Sequence, residues 1–371
     1  MFLERRLLKN LDFYMLAAII SIVATGILMI YSATHANYGD NNGDPFFFVK
    51  RQILWFIIGA LAMFFTISID YRNFSKYAGK IYIFNLIILA SVLVIGKTSL
   101  GAQRWIDIGP FAFQPSEFAK IFIIITLATT LEDRIGELNT LRDLLPILAH
   151  IAIPMVLIMK QPDLGTSLVF IAIFFGMVLV AGINWKILAG VITTGICLLP
   201  VFWHFLKDYQ KKRIMVFLDP NVDPTGSGYH IIQSKIAIGS GGLWGQGLFS
   251  GTQSQLNFLP EHHTDFIFAV LAEELGFVGV LFLLGLYFIV IWRGMLIASE
   301  AKDNYGTLLA VGIISMLLFH LLVNIGMNSG IMPVTGLPLF FMSYGGSSML
   351  TNMIALGILL NVGMRRQKIL F

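Results

Sequence analysis

Charge is what this chain has least of. Asp, Glu, Lys and Arg make up 12% of its 371 residues, about half the share of an ordinary soluble domain. Hydrophobic residues make up 57% and the mean hydropathy is +0.79, which excludes a soluble globular protein of average composition. Cysteine is nearly absent: Cys197 stands alone within an apolar run, so no internal disulfide can form. Heptads, short-period repeats and low-complexity tracts are also missing, which removes coiled-coil and solenoid architectures. The net charge of +4 comes mostly from basic residues that flank apolar runs, so it predicts no nucleic-acid partner.

Long uncharged runs are what the chain has instead. About ten approach the length that crosses a bilayer, where only a helix satisfies its own backbone. They are centred on Phe13 to Ser32, Gln52 to Ile69, Ala78 to Gly96, Pro115 to Leu131, Leu144 to Met159, Leu164 to Gly182, Ile187 to Leu206, Phe266 to Trp292, Tyr305 to Met327 and Ser347 to Gly363. The pattern predicts an all-α, polytopic membrane protein, one domain over 1–371, with about ten transmembrane helices and a large outer loop, 207–264, that folds into short helices. The first run is long for a signal peptide and lacks a small-residue cleavage site, so it reads as an uncleaved first helix. Lys and Arg concentrate at both termini and in alternate loops, which predicts cytoplasmic termini and places 207–264 outside.

Four polar stretches resist explanation by topology alone. In "GAQRWIDIGPFAFQPSEFAK", a spanning helix must begin near Pro115 and so carries Glu117 and Lys120, three apart on one face, into the bilayer. They form either an internally satisfied ion pair or part of a cavity wall. Arg104 and Trp105 just upstream have interfacial character. In "KQPDLGTS", Asp163 is placed to cap the next helix, a role compatible with touching substrate. The outer loop carries Lys211, Lys212, Arg213 and Lys235, cations suited to a lipid pyrophosphate or to anionic head groups; head-group attraction accounts best for the first three. Its "IGSGGLWGQG" lacks the Lys and Ser/Thr of a phosphate loop.

The fourth stretch is "PEHHTDFIFAVLAEELG". His262 and His263 are adjacent, a poor arrangement for a shared metal, so no metal site is expected. Glu273 and Glu274 lie eight and nine residues past Asp265, roughly 12 to 13.5 Å along a continuous helix. That exceeds the carboxylate spacing of glycosidases, which leaves the two glutamates to packing or a helix–helix network. Asp265 either caps the eighth span or does chemistry at the membrane edge.

Together "GAQRWID", "QPSEFAK", "QPDLGTS", "DPTGSGYHIIQSKIAIGSGG", "GTQSQLNFLPEHHTDFIFAVLAEELG" and "NIGMNSGIMPVTGLPLFFMSYGGSS" resemble the SEDS family, its rod-shape-determining branch rather than its division branch. One departure is His262, where that branch usually carries Arg. The resemblance implies a peptidoglycan glycosyltransferase that joins lipid II to a growing glycan strand by inverting β-1,4 transfer at the outer face of the bacterial inner membrane. It further implies a class B penicillin-binding protein as transpeptidase partner, within the elongation machinery. Carried onto this chain, the catalytic residue is Asp265; Arg104, Trp105, Glu117, Lys120, Asp163, Lys235 and Ser347 are the implied substrate-binding set. Pyrophosphate is a good leaving group, so the chemistry needs a base more than an acid. Cations such as Lys120 or Lys235 would steady the departing charge. No cofactor is indicated, and a divalent cation stays open as an aid to the pyrophosphate. Two competing classes remain: a lipid II flippase, for which the Pro- and Gly-interrupted "GIMPVTGLPLFFMSYGG" would make a gate, and a noncatalytic scaffold.

Overall fold

Ten long helices occupy the ten apolar runs: α1 (Phe13–Thr34), α2 (Phe47–Ser68), α3 (Ala78–Ile95), α4 (Pro115–Glu132), α5 (Leu141–Lys160), α6 (Leu164–Val180), α7 (Trp185–Phe205), α8 (Ile267–Ser299), α9 (Asn304–Asn328) and α10 (Gly346–Met364). The computed structural model describes residues 9–35, 44–99, 102–109, 111–224, 226–256 and 258–366. Seven of these helices, α1, α2, α3, α5, α8, α9 and α10, are long and apolar enough to cross a membrane. α6 and the apolar part of α7 are shorter, and α4 carries the charges of Glu117, Lys120 and Glu132.

Local chemistry sets the boundaries. Asp12 caps α1 by accepting from the Met15 amide at 3.0 Å, and its other oxygen receives Arg293 of α8 at 2.7 Å. Thr140 and Asp143 form a reciprocal capping box for α5. Pro115 starts α4 where its missing N–H costs nothing. Within the bundle α9 and α10 are central: 67% and 83% of their most apolar windows are buried, against 11% for α2. α2 therefore turns Leu61, Phe64 and Phe65 outward to lipid.

Two features depart from a purely helical expectation. "AQRWIDI" forms the middle of a three-stranded antiparallel sheet, β1 (Lys97–Ser99), β2 (Ala102–Ile108) and β3 (Phe111–Phe113), with Ile106 opposite Phe113. The second departure is in α8, which is broken at Gly276 (φ 63°, ψ −164°) and runs on past Trp292 to Ser299. Loop 207–264 holds helices Asp208–Leu218, Ser227–Gly241 and Thr252–Gln255, and its glycine-rich stretch fills the break. The amides of Gln246 and Gly247 donate to the carbonyls of Glu273 and Glu274, and those of Phe277 and Val278 donate to Gly242 and Leu243. A Cβ on Gly276 would lie 2.2 Å from the Gly245 nitrogen, so the glycines in this stretch serve close backbone approach rather than phosphate binding. Before the break α8 is enclosed by protein; beyond it, Phe277, Val278, Leu281 and Phe282 face outward.

Candidate active site

The main chain immediately before α8 is clamped. Asn324 and Asn328, one turn apart on α9, both donate their side-chain amides to the Asp265 carbonyl, at 3.0 and 3.1 Å. Asn324 also holds the Leu337 carbonyl at 2.8 Å, and Ser234 of the loop donates to the Asn328 carbonyl at 2.8 Å. Asp265 is thus fixed between α9, the 330–345 connection and the loop. Of the two roles open to Asp265, the cap is not seen: α8 follows Phe266 with no side-chain cap, and the Asp265 carboxylate lies toward Gly336. A Cβ on Gly336, whose φ is +74°, would sit 3.3 Å from Asp265 Oδ2.

Among the described residues the half-buried Asp265 carboxylate accepts no hydrogen bond. Burial lifts its pKa to about 6; Glu261 pushes it the same way, and Arg213 and Arg104 oppose them. Its histidine neighbours supply no permanent charge. His262 is buried, with Nδ1–H donating to the Leu259 carbonyl at 2.7 Å. Burial holds the pKa of His263 down, to about 4, and its ring packs on Phe48 and Tyr344.

Asp163 and Arg104 belong to a second cluster. Asp163 caps α6 through the Thr166 amide (3.2 Å) and also accepts from the hydroxyls of Thr166 (2.9 Å) and Ser116 (3.3 Å) and from Gln114 (3.5 Å). Arg104, on β2, bonds the carbonyls of Gln161 and Pro162 and stands 3.8 Å from Asp163. Arg213, assigned above to head-group attraction, instead turns inward. It donates to the Val334 carbonyl at 3.1 Å, half-buried beside Arg104 in a cleft of about 40 Å³ that Pro162, Leu164, Tyr209 and Thr335 also line. No sequence signal separated it from Lys211 and Lys212; only the packing of helix Asp208–Leu218 does.

The remaining candidates lie around these two clusters. Lys120 is wholly enclosed, 2.9 Å from Glu117 Oε1 and 3.1 Å from His320 Nε2. His320 Nδ1–H donates to the Pro338 carbonyl, one residue beyond Leu337, so Nε2 is the acceptor for the lysine. The trio Glu117–Lys120–His320 therefore sits one helical turn from Asn324, with two of the three lysine N–H donors directed to Glu117 and His320. Ser347 ties α10 to the sheet, accepting from the Gln114 amide at 3.1 Å and donating to the Ala112 carbonyl at 3.2 Å. Trp105 is half-buried on β2 opposite Lys97. Lys235 is exposed on helix Ser227–Gly241, its stem laid over Gly330. Glu273 receives the amides of Gln253 and Ser254, and Glu274 the Ser32 hydroxyl of α1; both are structural, as their spacing from Asp265 indicated.

A larger cavity, about 710 Å³, opens at the opposite end of α4 and α5. Its Asp133, Glu137 and Arg142 are exposed to solvent.

Fold and site together define a polytopic membrane protein that holds a carboxylate, free of hydrogen bonds among the described residues, beside a cationic cleft at one end of its helical bundle. The model of the FtsW, RodA and SpoVE cell cycle proteins matches residues 12–368, and the chain belongs to that family, the SEDS family. It is 42% identical over 359 residues to the peptidoglycan glycosyltransferase MrdB of Escherichia coli K12, covering 96% of this chain and 95% of MrdB. Its identity to stage V sporulation protein E of Bacillus subtilis is 40%, over 95% and 96% of the two chains. Among solved structures it is similar to a chain of a peptidoglycan synthase complex that coordinates polymerization and crosslinking (TM-score 0.80, 32% identity, 95% and 97% covered). It is also similar to the rod shape determining protein RodA of Thermus thermophilus (TM-score 0.71, 31% identity, 96% and 98% covered).

Proposed function

We propose that the chain is a peptidoglycan glycosyltransferase that polymerises lipid II, with Asp265 as its general base. The observation that carries this is the Asp265 carboxylate itself: its backbone is clamped by two asparagines, its oxygens accept no hydrogen bond among the described residues, and its pKa is raised to about 6. A carboxylate free of donors keeps its lone pairs for a proton, and a pKa near neutrality favours general-base work. The acceptor sugar's 4-hydroxyl gives its proton to Asp265 while its oxygen bonds to the donor's anomeric carbon. The lipid pyrophosphate leaves with the electron pair of the broken bond, which inverts that carbon to the β-1,4 linkage. The substrate is amphiphilic, and a base at the end of a helical bundle meets its sugar while the polyprenyl chain stays in the bilayer.

In this reading the Asp265 end and loop 207–264 face outward, both termini are cytoplasmic, and a class B penicillin-binding protein of the elongation machinery crosslinks the product; the similarity to a synthase complex supports that partner. Among the described residues no three His, Cys, Asp or Glu side chains gather to hold a metal ion. Purified protein in detergent, given lipid II, decides the matter. Wild type should make glycan with no second compartment present, and Asp265→Asn should not. Failure of the wild type to polymerise, with lipid II transport in vesicles intact, would favour a flippase.

A further inference from the structure

The large cavity at the end of the bundle away from Asp265 is ringed by charges of both signs. Asp133, Arg134, Glu137, Arg142 and Asp143 all line it, yet among the described residues none of these acids forms an ion pair with either arginine. Half-buried Arg134 donates to the Asp143 carbonyl at 3.1 Å, and the Asp143 carboxylate is taken by the amide and hydroxyl of Thr140, at 2.8 Å each. The frame around this space is built. The loop from α4 to α5 is fastened to the α6–α7 connection by the Gly136 amide on the Ala181 carbonyl at 2.9 Å and by the Asn184 amide on the Leu138 carbonyl at 3.1 Å. Leu138 is buried beneath it. Exposed charges are usually solvated one by one; these gather round a single space of about 710 Å³, within the range of ligand sites. Opposite charges kept unpaired around one such space match a ligand that carries both signs.

We infer that this cavity binds the head group of an ethanolamine phospholipid, with its phosphate on Arg134 and Arg142 and its ammonium on Asp133 and Glu137. Such a site is independent of what Asp265 does. The surface beside the cavity selects a lipid over a soluble zwitterion. Arg142, Pro146, Ala149 and Ile153 are spaced four, three and four residues apart on α5 and so share one face. The first two line the cavity, and the same face continues outward-exposed through Ala149 and Ile153. Leu141 and Leu145 flank it, 61% and 60% exposed. The mouth therefore opens onto the bare apolar side of a helix long enough to cross a membrane, a bed for acyl chains running from a head group held at the helix start. Charge selects the head. Three acids against two arginines leave the lining with a net charge of −1, which opposes an anionic phospholipid or a polyprenyl phosphate. A phosphodiester joined to an ammonium is neutral as a whole and meets both signs: the guanidinium forks suit phosphoryl oxygens, and the carboxylates accept from the ammonium N–H groups. In the orientation proposed above this lipid belongs to the inner leaflet.

Lipid binding to the delipidated protein in detergent, followed by native mass spectrometry, tests the site. The probes are phosphatidylethanolamine and phosphatidylglycerol with identical chains, and the chainless head group glycerophosphoethanolamine. Wild type should bind one phosphatidylethanolamine about tenfold more tightly than phosphatidylglycerol, the scale of a charge-assisted hydrogen bond gained by the ammonium, and more tightly still than the chainless head. Arg142→Gln should weaken both phospholipids by a similar factor. The double variant Asp133→Asn, Glu137→Gln should lose the preference for ethanolamine or invert it, because it removes the ammonium's partners and makes the lining cationic. All three side chains are exposed, so the lipid-free melting temperature of these variants should match that of wild type. Lys97→Gln, at the Asp265 end and paired with Asp107, should leave both affinities unchanged. Asp265→Asn should bind both lipids as wild type does, so that failure of this site and failure of the polymerase reading are separate results. Equal affinity of wild type for the two phospholipids, or a wild-type preference surviving in the double variant, would overturn the head-group assignment. Binding of the chainless head as tight as that of the lipid would overturn the membrane lipid as its source.

Discussion

Asp163 and Asp265 are acids of the same cluster-rich end of the bundle, both held within reach of Arg104, yet their surroundings are opposite. The Asp163 carboxylate accepts four hydrogen bonds, from the Thr166 amide, two hydroxyls and an amide side chain, and stands 3.8 Å from a guanidinium. Asp265 has its backbone carbonyl engaged twice and its carboxylate not at all. An unsatisfied, desolvated carboxylate such as Asp265 is destabilised in its charged form and takes a proton readily. On the function proposed above, the difference divides structural from chemical work between the two acids, and both were candidates by sequence.

The sharpest way to break the comparison is at Asp265. Because α8 has no side-chain cap there, Asp265→Asn should fold normally while lipid II polymerisation falls on the order of a hundredfold or more, the scale of a lost general base. Its pH dependence adds a second check. The base must be ionised, so kcat/KM of the wild type should rise with pH through about 6 and then level. Stability should run the other way. An acid raised from 3.8 to about 6 in the folded state binds its proton more tightly folded than unfolded, so its contribution is complete below pH 3.8 and is lost as pH rises through about 6. Asp265→Asn should therefore melt above wild type at pH 8, with the gap closing toward pH 4. A gap that widens as pH falls would refute the buried-carboxylate account.

The next largest effect belongs to the enclosed trio. Lys120→Met leaves Glu117 buried without its cation and should lower stability by about 3 to 5 kcal/mol, read as lost folded yield or a large drop in denaturant midpoint. Exchanging the charges at 117 and 120 should restore only part of this, because His320 Nε2 is an acceptor and would then face a carboxylate. Full recovery would mean that the histidine is not locked by Pro338. Asp163→Asn comes third. Asn still caps, but it sets an NH2 among the donors of Thr166, Ser116 and Gln114, at a cost of about 1 to 3 kcal/mol; activity per folded molecule should stay within a few-fold of wild type. A hundredfold loss of turnover in a stable Asp163→Asn protein would erase the distinction between the two acids.

Much of this was legible in the sequence, for identifiable reasons. Bilayer length and hydropathy located all ten helices, since a membrane removes most alternatives to helix. Intramembrane charge singled out Glu117 and Lys120, and an acid at the mouth of an apolar run singled out Asp265. What escaped depends on tertiary packing. The short strands around Trp105 are weakly patterned, and the break at Gly276 shows only when the glycine-rich loop is seen bonding across it. Arg213 looks like one more cation of "KKR" until helix Asp208–Leu218 rotates it into the cleft. Asn324 and Asn328 are four apart on one face of a helix, and only the packing shows that they form a polar seam and what it holds.

That seam supports the smallest effect and the finest test of how Asp265 is held. Asn324 donates to both Asp265 and Leu337, so it joins the base to the segment that carries Gly336 opposite the carboxylate. Asn324→Ala frees the Leu337 carbonyl and leaves the Asp265 carbonyl to Asn328 alone, at 3.1 Å. The carboxylate should drift rather than detach. Turnover should fall about tenfold, less than the hundredfold that a misplacement of about 1 Å costs a reacting group, with KM unchanged because the cationic cleft is untouched. The acid limb should stay near pH 6, since Glu261, Arg104 and Arg213, which act on Asp265, are all still present. A loss of stability alone, with turnover per folded molecule intact, would show that Asn328 suffices and that Asn324 serves the 330–345 connection only.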